Sequence, residues 1–524
     1  MEFNDDLLQN LLAILPEMLM VVLALAVIYL DLYLPPSRRT VTGYVAGVGM
    51  LVIAGLALLR PSYDAISDQL MWGGMIRSDD LAKIFSVMVI TVGGLTCFMG
   101  IGDKRLRYKG EFYAIIIIAS VGASLLSAAA DLIMLFIALE TLSISLYILS
   151  GFIRQSEDDP SPEMQAAANR SAESGMKYFL FGAFTSAFLL YGLSMVYGFS
   201  GGETNLYEIG PILAGTATPE NNIVGGDVVA PILVALGFVA VGFGFKISAV
   251  PFHFWTPDVY EGGPTPVVSF ISVASKAASF AVLTRFMLAV FPPDQLLEAG
   301  QSLSDWWVQM FAILAVVTMT LGNLLALVQT NIKRLIAYSS IAQAGYTLIG
   351  VVAIASQATA GDGAAAVAFY MFMYVMTNTL LFAGIILFSN ATNSETIGDM
   401  AGLSRRNPWI ALGMTIALLS LAGIPPTAGF WGKFLLFRAA VDANMAWLAM
   451  IGVLNAIIGL YYYLIVIKVM YVDRSPDDDK AIAMPAPYGF VVGATALAVL
   501  LLGTFLVTPV WEWASNAGTD LFIR

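Results

Sequence analysis

The chain has 524 residues, of which 58% are hydrophobic and 12% charged, whereas about 25% of the residues of a soluble globular protein are charged. We therefore expect an integral membrane protein. The net charge of −12 and the lack of a basic patch argue against nucleic-acid binding. A single cysteine, Cys97, and a single histidine, His253, exclude a disulfide framework and an iron–sulfur cluster held by this chain alone. We expect no cofactor and no metal on the chain.

Hydrophobic runs separated by polar or proline- and glycine-rich breaks predict fourteen membrane helices. Most are about 20 residues long, which suits a hydrocarbon core of roughly 30 Å. The acidic start MEFNDD lacks a basic segment and a cleavage site, so the first helix is expected to be retained rather than removed as a signal peptide. The predicted spans are 11–33, 40–59, 80–101, 112–129, 132–153, 174–198, 229–252, 265–290, 306–328, 333–355, 364–388, 407–440, 446–471 and 486–509.

Basic residues are divided unevenly between alternate loops. If MEFNDD lies outside, the outer segments hold little beyond Arg60, Arg77, Arg438 and Arg524. The positive-inside rule then places both termini on the outer face. The inner loops hold Arg38, Arg39, Lys104, Arg105, Arg107, Lys109, Arg154, Arg170, Lys333, Arg334, Arg405, Arg406, Arg474 and Lys480.

An internal repeat is visible in the sequence. SAVPFHFW at 248–255 is similar to LAGIPPTAGFW at 421–431, because each has small residues, a proline and then Phe-Trp. Pro251, Pro425 and Pro426 each remove a backbone donor, so both segments predict a broken helix. Further matches keep the same order: LYILSG with GYTLIG, and KYFLFGAFTSAFLLYG with FYMFMYVMTNTLLFAG.

The repeat divides the chain into four parts. Helices one to three occupy 1–110, a first five-helix unit 111–291, a second unit 305–472, and helix fourteen 484–524. An odd number of helices in each unit makes the two units opposite in topology. Inverted repeats with broken helices are typical of secondary transporters, whose ion path lies near the middle of the membrane.

Four ionisable residues lie deep inside predicted helices: Glu140, Lys246, Lys276 and Lys433. Buried without partners, they would cost about 10 to 14 kcal/mol by addition of insertion values. Glu140 and Lys246 are the natural ion pair, and making and breaking that pair would bind and release a proton. Such a pair is a candidate proton switch.

Polar groups accompany these charges. Ser272, Ser275 and Ser279 recur at helical spacing around Lys276 and predict a polar stripe that can hold water. The broken backbones at the prolines can also be hydrated, because irregular backbone in a membrane must line a cavity or be buried in protein. Lysines, Glu140 and water would then form a transverse proton path.

Other ionisable residues have simpler interpretations. His253 either relays protons or satisfies carbonyl groups freed at the break. Lys177, near the start of helix six, is ambiguous between relay and interface. Glu17 and Arg285 are expected to be structural partners. Lysines near helix ends are expected to extend to the interface, namely Lys83, Lys104, Lys109, Lys333 and Lys468.

The sequence contains no energy source of its own. It has no GxxxxGK[ST] phosphate loop and no GxGxxG dinucleotide motif. Moving one charge against about 100 mV costs roughly 2.3 kcal/mol. The chain must therefore exchange one ion for another or be driven by a partner.

Four segments resemble a known family. ALETLSISLYIL at 138–149, FKISAVPFHFWTPDVYEGGPTPV at 245–267, NIKRLIAYSSIAQAGY at 331–346 and GIPPTAGFWGKF at 423–434 closely resemble the proton-translocating, antiporter-like subunits of respiratory complex I. The resemblance covers nearly the whole chain. Two other members of that family would be expected to carry a glutamate at position 433 or a long amphipathic C-terminal helix, and this chain matches neither.

The resemblance implies a role for each buried charge. Glu140, Lys246, Lys276 and Lys433 would form the proton path of a membrane-arm subunit, driven by NADH oxidation and quinone reduction on other chains. It also implies neighbouring complex I subunits and lipids as partners, and a bacterial inner membrane with periplasmic termini. Two alternatives stay open: a sodium/proton antiporter subunit, and a mainly structural scaffold subunit.

Overall fold

The computed structural model describes most of the chain. The described residues are 2–35, 38–60, 70–103, 105–155, 161–214, 229–293, 303–356 and 360–521. Lys104 and Arg524, both part of the predicted charge distribution, lie outside them.

The described part is almost entirely helical, with one two-stranded antiparallel hairpin near the N-terminal helices. The first helices and the strands are α1 (Glu2–Ala13), α2 (Leu15–Tyr33), α3 (Thr40–Ala57), β1 (Leu70–Met71), β2 (Ile76–Arg77) and α4 (Asp80–Gly102). The next helices are α5 (Gly110–Ala128), α6 (Leu132–Ser150), α7 (Pro162–Phe199), α8 (Leu206–Leu213), α9 (Val229–Ile247), α10 (Trp255–Gly262), α11 (Thr265–Phe270), a π-helical turn (Ile271–Ser275) and α12 (Lys276–Val290).

A second series of helices follows. It comprises α13 (Leu303–Ala326), α14 (Ile332–Ala353), α15 (Ala360–Thr392), a 3₁₀ turn (Ile397–Met400), α16 (Leu403–Arg406), α17 (Pro408–Ala422), α18 (Ala428–Asp442), α19 (Ala446–Tyr471), α20 (Ala486–Thr504) and α21 (Val507–Asp520).

The expected all-helical, multi-pass architecture is confirmed. Among the described residues, thirteen helical segments are long and apolar enough to cross a membrane. The remaining predicted span, 407–440, is divided into α17 and α18 at the expected proline break. Several features differ from the prediction. Helix α7 begins at Pro162, well before residue 174, α8 lies between two predicted spans, and α21 is a separate helix that begins near the end of the last predicted span.

Short polar side chains fix where several helices begin. Asp79, Asp131, Asn331 and Asn407 each precede a helix, and each side chain accepts hydrogen bonds from backbone N–H groups of the first turn. These N–H groups have no partner within the helix, so the caps satisfy donors that could not otherwise be buried.

The two predicted five-helix units show the same pattern of neighbours. In the first, α5 packs on α6, α6 on α7, α7 on both halves of the broken pair α9 and α10, and α12 returns to α5. In the second, α13 packs on α14, α14 on α15, α15 on both α17 and α18, and α19 returns to α13. The matching order supports the repeat, while the limits 111–291 and 305–472 stay predictions.

The most deeply buried helices lie where the two units meet. The segment formed by α11, the π turn and α12 is buried along its whole apolar window, and α4, α14 and α15 are buried almost as completely. Peripheral helices such as α2 and α19 bury only about a third of theirs and present large apolar side chains outward. The polar residues of the central helices are therefore shielded by protein rather than by lipid.

A buried ion-pair cluster joins distant parts of the fold. Arg285 donates from both Nη atoms to the two oxygens of Asp79, at 2.7 and 2.8 Å. Arg77 lies 3.3 Å from the same carboxylate and also donates to the hydroxyl of Tyr207 and the backbone carbonyl of Asp520. The expectation that Arg285 is a structural partner is confirmed. Arg77, expected in an outer segment, is completely buried within this cluster.

We predict that Asp79→Asn strongly destabilises the fold, because it leaves two buried guanidinium groups without their counter-charge. Breaking such a buried pair costs about 3 to 5 kcal/mol. The melting temperature of the purified complex, followed by loss of this subunit, measures the effect. Asp442→Asn is the matched control, since Asp442 pairs with Arg438 at 3.3 Å in an exposed position. Equal melting temperatures for the two variants would contradict the structural role of Asp79.

Candidate functional site

The first helix break lies at the predicted proline. Helix α9 ends at Ile247 and α10 begins at Trp255, with a cis peptide bond before Pro251. The backbone groups freed by the break find partners: Val250 N donates to the Thr318 hydroxyl at 3.0 Å, and the Trp255 indole donates to the Phe245 carbonyl at 3.2 Å. The break is therefore a built part of the fold.

The second break places a lysine on the end of a half-helix. Helix α17 ends at Ala422 before Pro425 and Pro426, which are joined by a cis peptide bond. Lys433, on α18, donates to the carbonyls of Leu421 at 2.8 Å and Ala422 at 3.2 Å. Because these carbonyls are in the last turn of α17, no N–H group of their own helix donates to them. The ammonium group therefore caps the negative end of the α17 dipole.

The two halves of the second break approach each other closely. Gly429 N donates to the Ser420 hydroxyl at 3.1 Å. A Cβ atom added at Gly429 would lie 1.7 Å from the Ser420 carbonyl oxygen. Glycine is thus required at 429 for the contact that brings Lys433 to the carbonyls.

Lys246 is buried at the end of α9. Its ammonium group donates to the hydroxyl of Ser143 on α6 and lies 5.5 Å from the centre of the Tyr147 ring. The Ser143 hydroxyl in turn donates to the Leu139 carbonyl. Serine and an aromatic face therefore surround this charge.

Glu140 is not in direct contact with Lys246. It accepts a hydrogen bond from Ser186 on α7 at 2.6 Å, and the two residues form none of the ion pairs within 4.0 Å found among the described residues. The predicted direct pair is therefore absent in this structure. Ser143 lies three residues after Glu140 on α6, hence on the same face of the helix. Lys246 therefore bonds a hydroxyl that lies one helical turn from the carboxylate with which a direct ion pair was expected.

Lys276 links the two units. It follows the π turn and donates to the carbonyl and hydroxyl oxygens of Ser340 on α14, at 2.9 and 2.5 Å. The Ser340 hydroxyl also contacts Tyr374 at 2.8 Å and Tyr260 at 3.0 Å. One serine of the second unit therefore collects a lysine and two tyrosines.

No hydrogen bond joins the serines of the predicted stripe to Lys276 in the described part of the structure. The hydroxyls of Ser272 and Ser279 donate to carbonyls of their own helix, those of Ser269 and Ser275. The Ser275 hydroxyl is buried and has no hydrogen-bond partner. The ligand of Lys276 comes from another helix because the helix face of Lys276 turns toward α14.

A chain of buried polar groups continues from Ser340 toward Lys433. The adjacent Ser339 contacts the Tyr463 hydroxyl at 2.5 Å. Gln343 donates to Tyr463 at 3.1 Å and to the Leu421 carbonyl at 3.3 Å, the same carbonyl that accepts from Lys433. Tyrosine and serine hydroxyls both donate and accept, so they can pass a proton, while the amide of Gln343 orients them.

Three other candidates lie away from this chain. Lys177 forms a partly exposed cluster with Glu173 and Asp258, at 2.7 and 2.6 Å. His253 is half-buried at the first break, and its Nδ1 atom has no partner. Lys333 was expected at the interface and is instead buried, donating to Glu395 at 3.0 Å and to the carbonyls of Glu261, in the last turn of α10, and Gly263, directly after that helix. The interface prediction for Lys333 is wrong because a carboxylate and two carbonyls lie within its reach.

Sequence reasoning missed most of the ligands of the lysines. Ser143, Ser340, Gln343 and Tyr463 are buried polar residues in apolar helices. Ser339, Ser340 and Gln343 stand within NIKRLIAYSSIAQAGY, a segment already quoted for its resemblance. Their spacing of three and four residues on one helix face was the available signal.

The fold and the site together define a class of protein. Two five-helix units with broken helices, and buried lysines held by polar side chains and freed carbonyls, form the architecture of a membrane ion transporter. The model of the NADH:quinone oxidoreductase/Mrp antiporter transmembrane family matches residues 129–459.

Similar proteins agree with that match. The chain is 38% identical to the NADH-quinone oxidoreductase subunit N of Moorella thermoacetica, covering 98% of this chain and 99% of the relative. It is 39% identical to the NAD(P)H-quinone oxidoreductase subunit 2 of a Synechocystis species, covering 97% and 92%. A chain of respiratory complex I from Thermus thermophilus superposes with a TM-score of 0.73 at 29% identity, covering 95% of this chain and 98% of that chain. The chain belongs to the NADH:quinone oxidoreductase/Mrp antiporter family.

We predict that Gly429→Ala separates the two halves of the second break and lowers stability by about 1 to 3 kcal/mol, the usual cost of overpacking. Thermal unfolding of the purified complex measures it. Gly493→Ala is the matched control, because a Cβ atom at this helical glycine meets nothing within 4 Å. A melting temperature for Gly429→Ala equal to that of the control would show that the close contact is dispensable.

Proposed function

We propose that this chain is subunit N of a bacterial proton-pumping NADH:quinone oxidoreductase, respiratory complex I. In this role it carries protons across the membrane while quinone reduction elsewhere in the complex supplies the energy. The 38% identity to subunit N of Moorella thermoacetica, which extends over nearly the full length of both chains, supports the assignment to that subunit. The observation that carries the proton path is the row of buried polar groups between Lys276 and Lys433. Lys276 bonds Ser340, and the next residue in the chain, Ser339, bonds Tyr463. Gln343 bonds both Tyr463 and the Leu421 carbonyl that accepts from Lys433.

Three lysines lie in series on this proposed path. Lys246 and Lys276 take up protons from the inner side, Lys433 receives them through the hydroxyls of Ser340, Ser339 and Tyr463 together with water, and they leave on the outer side. Among the described residues, the hydrogen-bond acceptors of all three lysines are neutral groups, so loss of a proton leaves no hydrogen-bonded carboxylate without its counter-charge. Neutral partners hold the ammonium form less strongly than a carboxylate would.

Glu140 is the proposed gate for proton release from Lys246, although Ser143, and not Glu140, bonds that lysine in this structure. Its bond to Ser186 and the adjacent Ser143–Lys246 bond lie one helical turn apart on α6. A small shift of α7 or α9 would let the carboxylate approach the ammonium directly. That approach would retain the proton on Lys246, and separation would release it.

We assign the redox chemistry to other chains of the complex. The only cysteine, Cys97, is buried, and no group of three or more His, Cys, Asp or Glu residues that could hold a metal occurs in the described part of the chain. The partners are then the neighbouring antiporter-like and small membrane-arm subunits, together with lipids. The location is the bacterial inner membrane, with both termini on the periplasmic side as the distribution of basic residues predicts.

The second candidate is a sodium/proton antiporter subunit, because the family also includes Mrp antiporters. Every deep charge of the polar chain is a lysine, and the positive charge of an ammonium group repels a metal cation. Purification separates the candidates: co-purifying complex I chains support the first. A chain that alone exchanges sodium for protons in liposomes would refute it. A purely structural role is tested by the variants below.

We predict that Lys246→Ala in the assembled complex lowers proton pumping about tenfold or more, the scale expected when a proton-transferring group is removed. Pumping is measured in vesicles as the pH gradient formed per NADH oxidised. Lys468→Ala is the control, because that lysine is exposed and pairs with Asp473 outside the polar chain. Normal pumping by a fully assembled Lys246→Ala complex would leave a scaffold role as the better explanation.

We predict that Tyr463→Phe lowers pumping while its neighbour variant Tyr462→Phe does not. The Tyr463 hydroxyl joins Ser339 to Gln343, whereas the Tyr462 hydroxyl donates to Asn323 at 2.9 Å, outside the chain. Both variants remove one buried hydroxyl from the same helix, so their stabilities are closely matched. Equal pumping by the two variants would exclude Tyr463 from the path. The measurement is the pH gradient that each variant complex forms in vesicles when NADH is oxidised.

A further inference from the structure

A second chain of buried polar side chains joins helices α2, α4 and α5. Glu17, in the first turn of α2, is 4% exposed. Its Oε1 atom accepts a hydrogen bond from Ser124 on α5 at 2.5 Å, and the Ser124 hydroxyl lies 2.7 Å from that of Ser86 on α4. Three hydroxyl or carboxyl groups from three helices therefore form one line.

The Glu17 carboxyl group is enclosed by protein and uses only one of its two oxygens. Its Oε2 atom is buried without a partner, and no lysine or arginine nitrogen lies within 4.0 Å in the part of the chain described. A buried carboxyl oxygen without a hydrogen-bond partner is unusual in a folded protein. This oxygen is the position at which Glu17 can bind a proton.

The hydrogen bonds that join Glu17, Ser124 and Ser86 can be donated in either direction along the line. With an ionised Glu17, Ser124 donates its single proton to the carboxylate, and Ser86 must donate to Ser124. With a protonated Glu17, the acid donates to Ser124 and Ser124 can donate to Ser86. Each hydroxyl both donates and accepts, so reversal breaks no bond without making another.

The line lies close to one end of the helices that carry it. Glu17 is in the first turn of α2, and Ser124 and Ser86 lie about 6 and 9 Å from the ends of their helices at 1.5 Å per residue. Helix α4 also packs against α11, the π turn and α12, and α12 begins with Lys276. Ser86 thus belongs to a helix that contacts the segment carrying the central lysine.

The charged groups nearest by contact belong to the cluster at the same face. Ser127 donates to the Ser124 carbonyl at 2.7 Å, and its own carbonyl accepts from Arg285, which holds Asp79. Their mutual pairing leaves neither bonded to Glu17. The cluster therefore fixes α5 in place beside Glu17 without supplying its counter-ion.

We propose that Glu17 binds and releases a proton during turnover and is a second outer-side proton group, connected through Ser124 and Ser86 to the helices around Lys276. The proton moves from the carboxyl oxygen of Glu17 to water at the outer face, leaving a carboxylate that Ser124 then bonds. This inference rests on the proposed function, because it assumes that the chain moves protons.

The test is infrared difference spectroscopy of the whole complex, with NADH added, in the carbonyl region of protonated carboxylic acids. We expect Glu17→Gln to remove one band and Ser124→Ala to shift that band, because the acid loses its hydrogen-bond partner. Ser120→Ala is the matched control, since Ser120 lies on the same helix, is buried and donates only to the Ile116 carbonyl. Proton pumping by Glu17→Gln is expected to fall at least twofold.

Two results would overturn the inference. One is a spectrum of Glu17→Gln identical to that of the parent complex, and the other is unchanged pumping by Glu17→Gln. If that variant does not assemble, Ser124→Ala decides alone, and an unshifted band overturns the inference. Loss of pumping in Lys246→Ala with normal pumping in Glu17→Gln would reject only the role of Glu17. Normal pumping in Lys246→Ala would reject the proposed function itself.

Discussion

The whole site depends on the cost of burying an ammonium group in an apolar helix bundle. A lysine in this position needs oxygen acceptors, and most carbonyls of an intact helix already accept a hydrogen bond within the helix. The structure supplies acceptors in two ways. Broken helix α17 offers its terminal carbonyls to Lys433, and serines of neighbouring helices serve Lys246 and Lys276. The prolines, the polar side chains and the buried charges therefore require one another.

The two breaks are related in sequence and differ in use. Lys246 precedes Pro251 and lies at the end of its half-helix, where its acceptor is a serine of another helix. Lys433 follows Pro425 and reaches back across the break to the preceding half-helix. The same backbone feature thus holds one lysine by a side chain and the other by main-chain carbonyls. A main-chain carbonyl can only accept a hydrogen bond, whereas a serine hydroxyl can also donate one, so the two lysines have chemically different partners.

The junction between the units is where polar groups of the two units bond to each other. Lys276 belongs to the first unit and Ser340 to the second, so their hydrogen bonds exist only when the units are packed together. Buried Lys333 strengthens the same junction near one end, through Glu395 and the C-terminal end of α10. Burial by itself raises the pKa of the Glu395 carboxyl. The charge of nearby Lys333 and its hydrogen bond lower that pKa, and the net result lies below the ordinary value. Stability and proton transfer consequently share one interface.

The sequence alone determined the membrane class, the number of spans, the two proline breaks and the four deep charges. These follow from local composition, because about 20 apolar residues or one proline decide a span or a break wherever they occur. Only the tertiary structure decided the partners of the charges. Lys276 meets Ser340 across 64 residues of sequence and Gln343 meets Tyr463 across 120. Glu140 and Lys246 were expected in contact and are not, because the rotation of each packed helix sets which polar face meets which, and no local pattern encodes it.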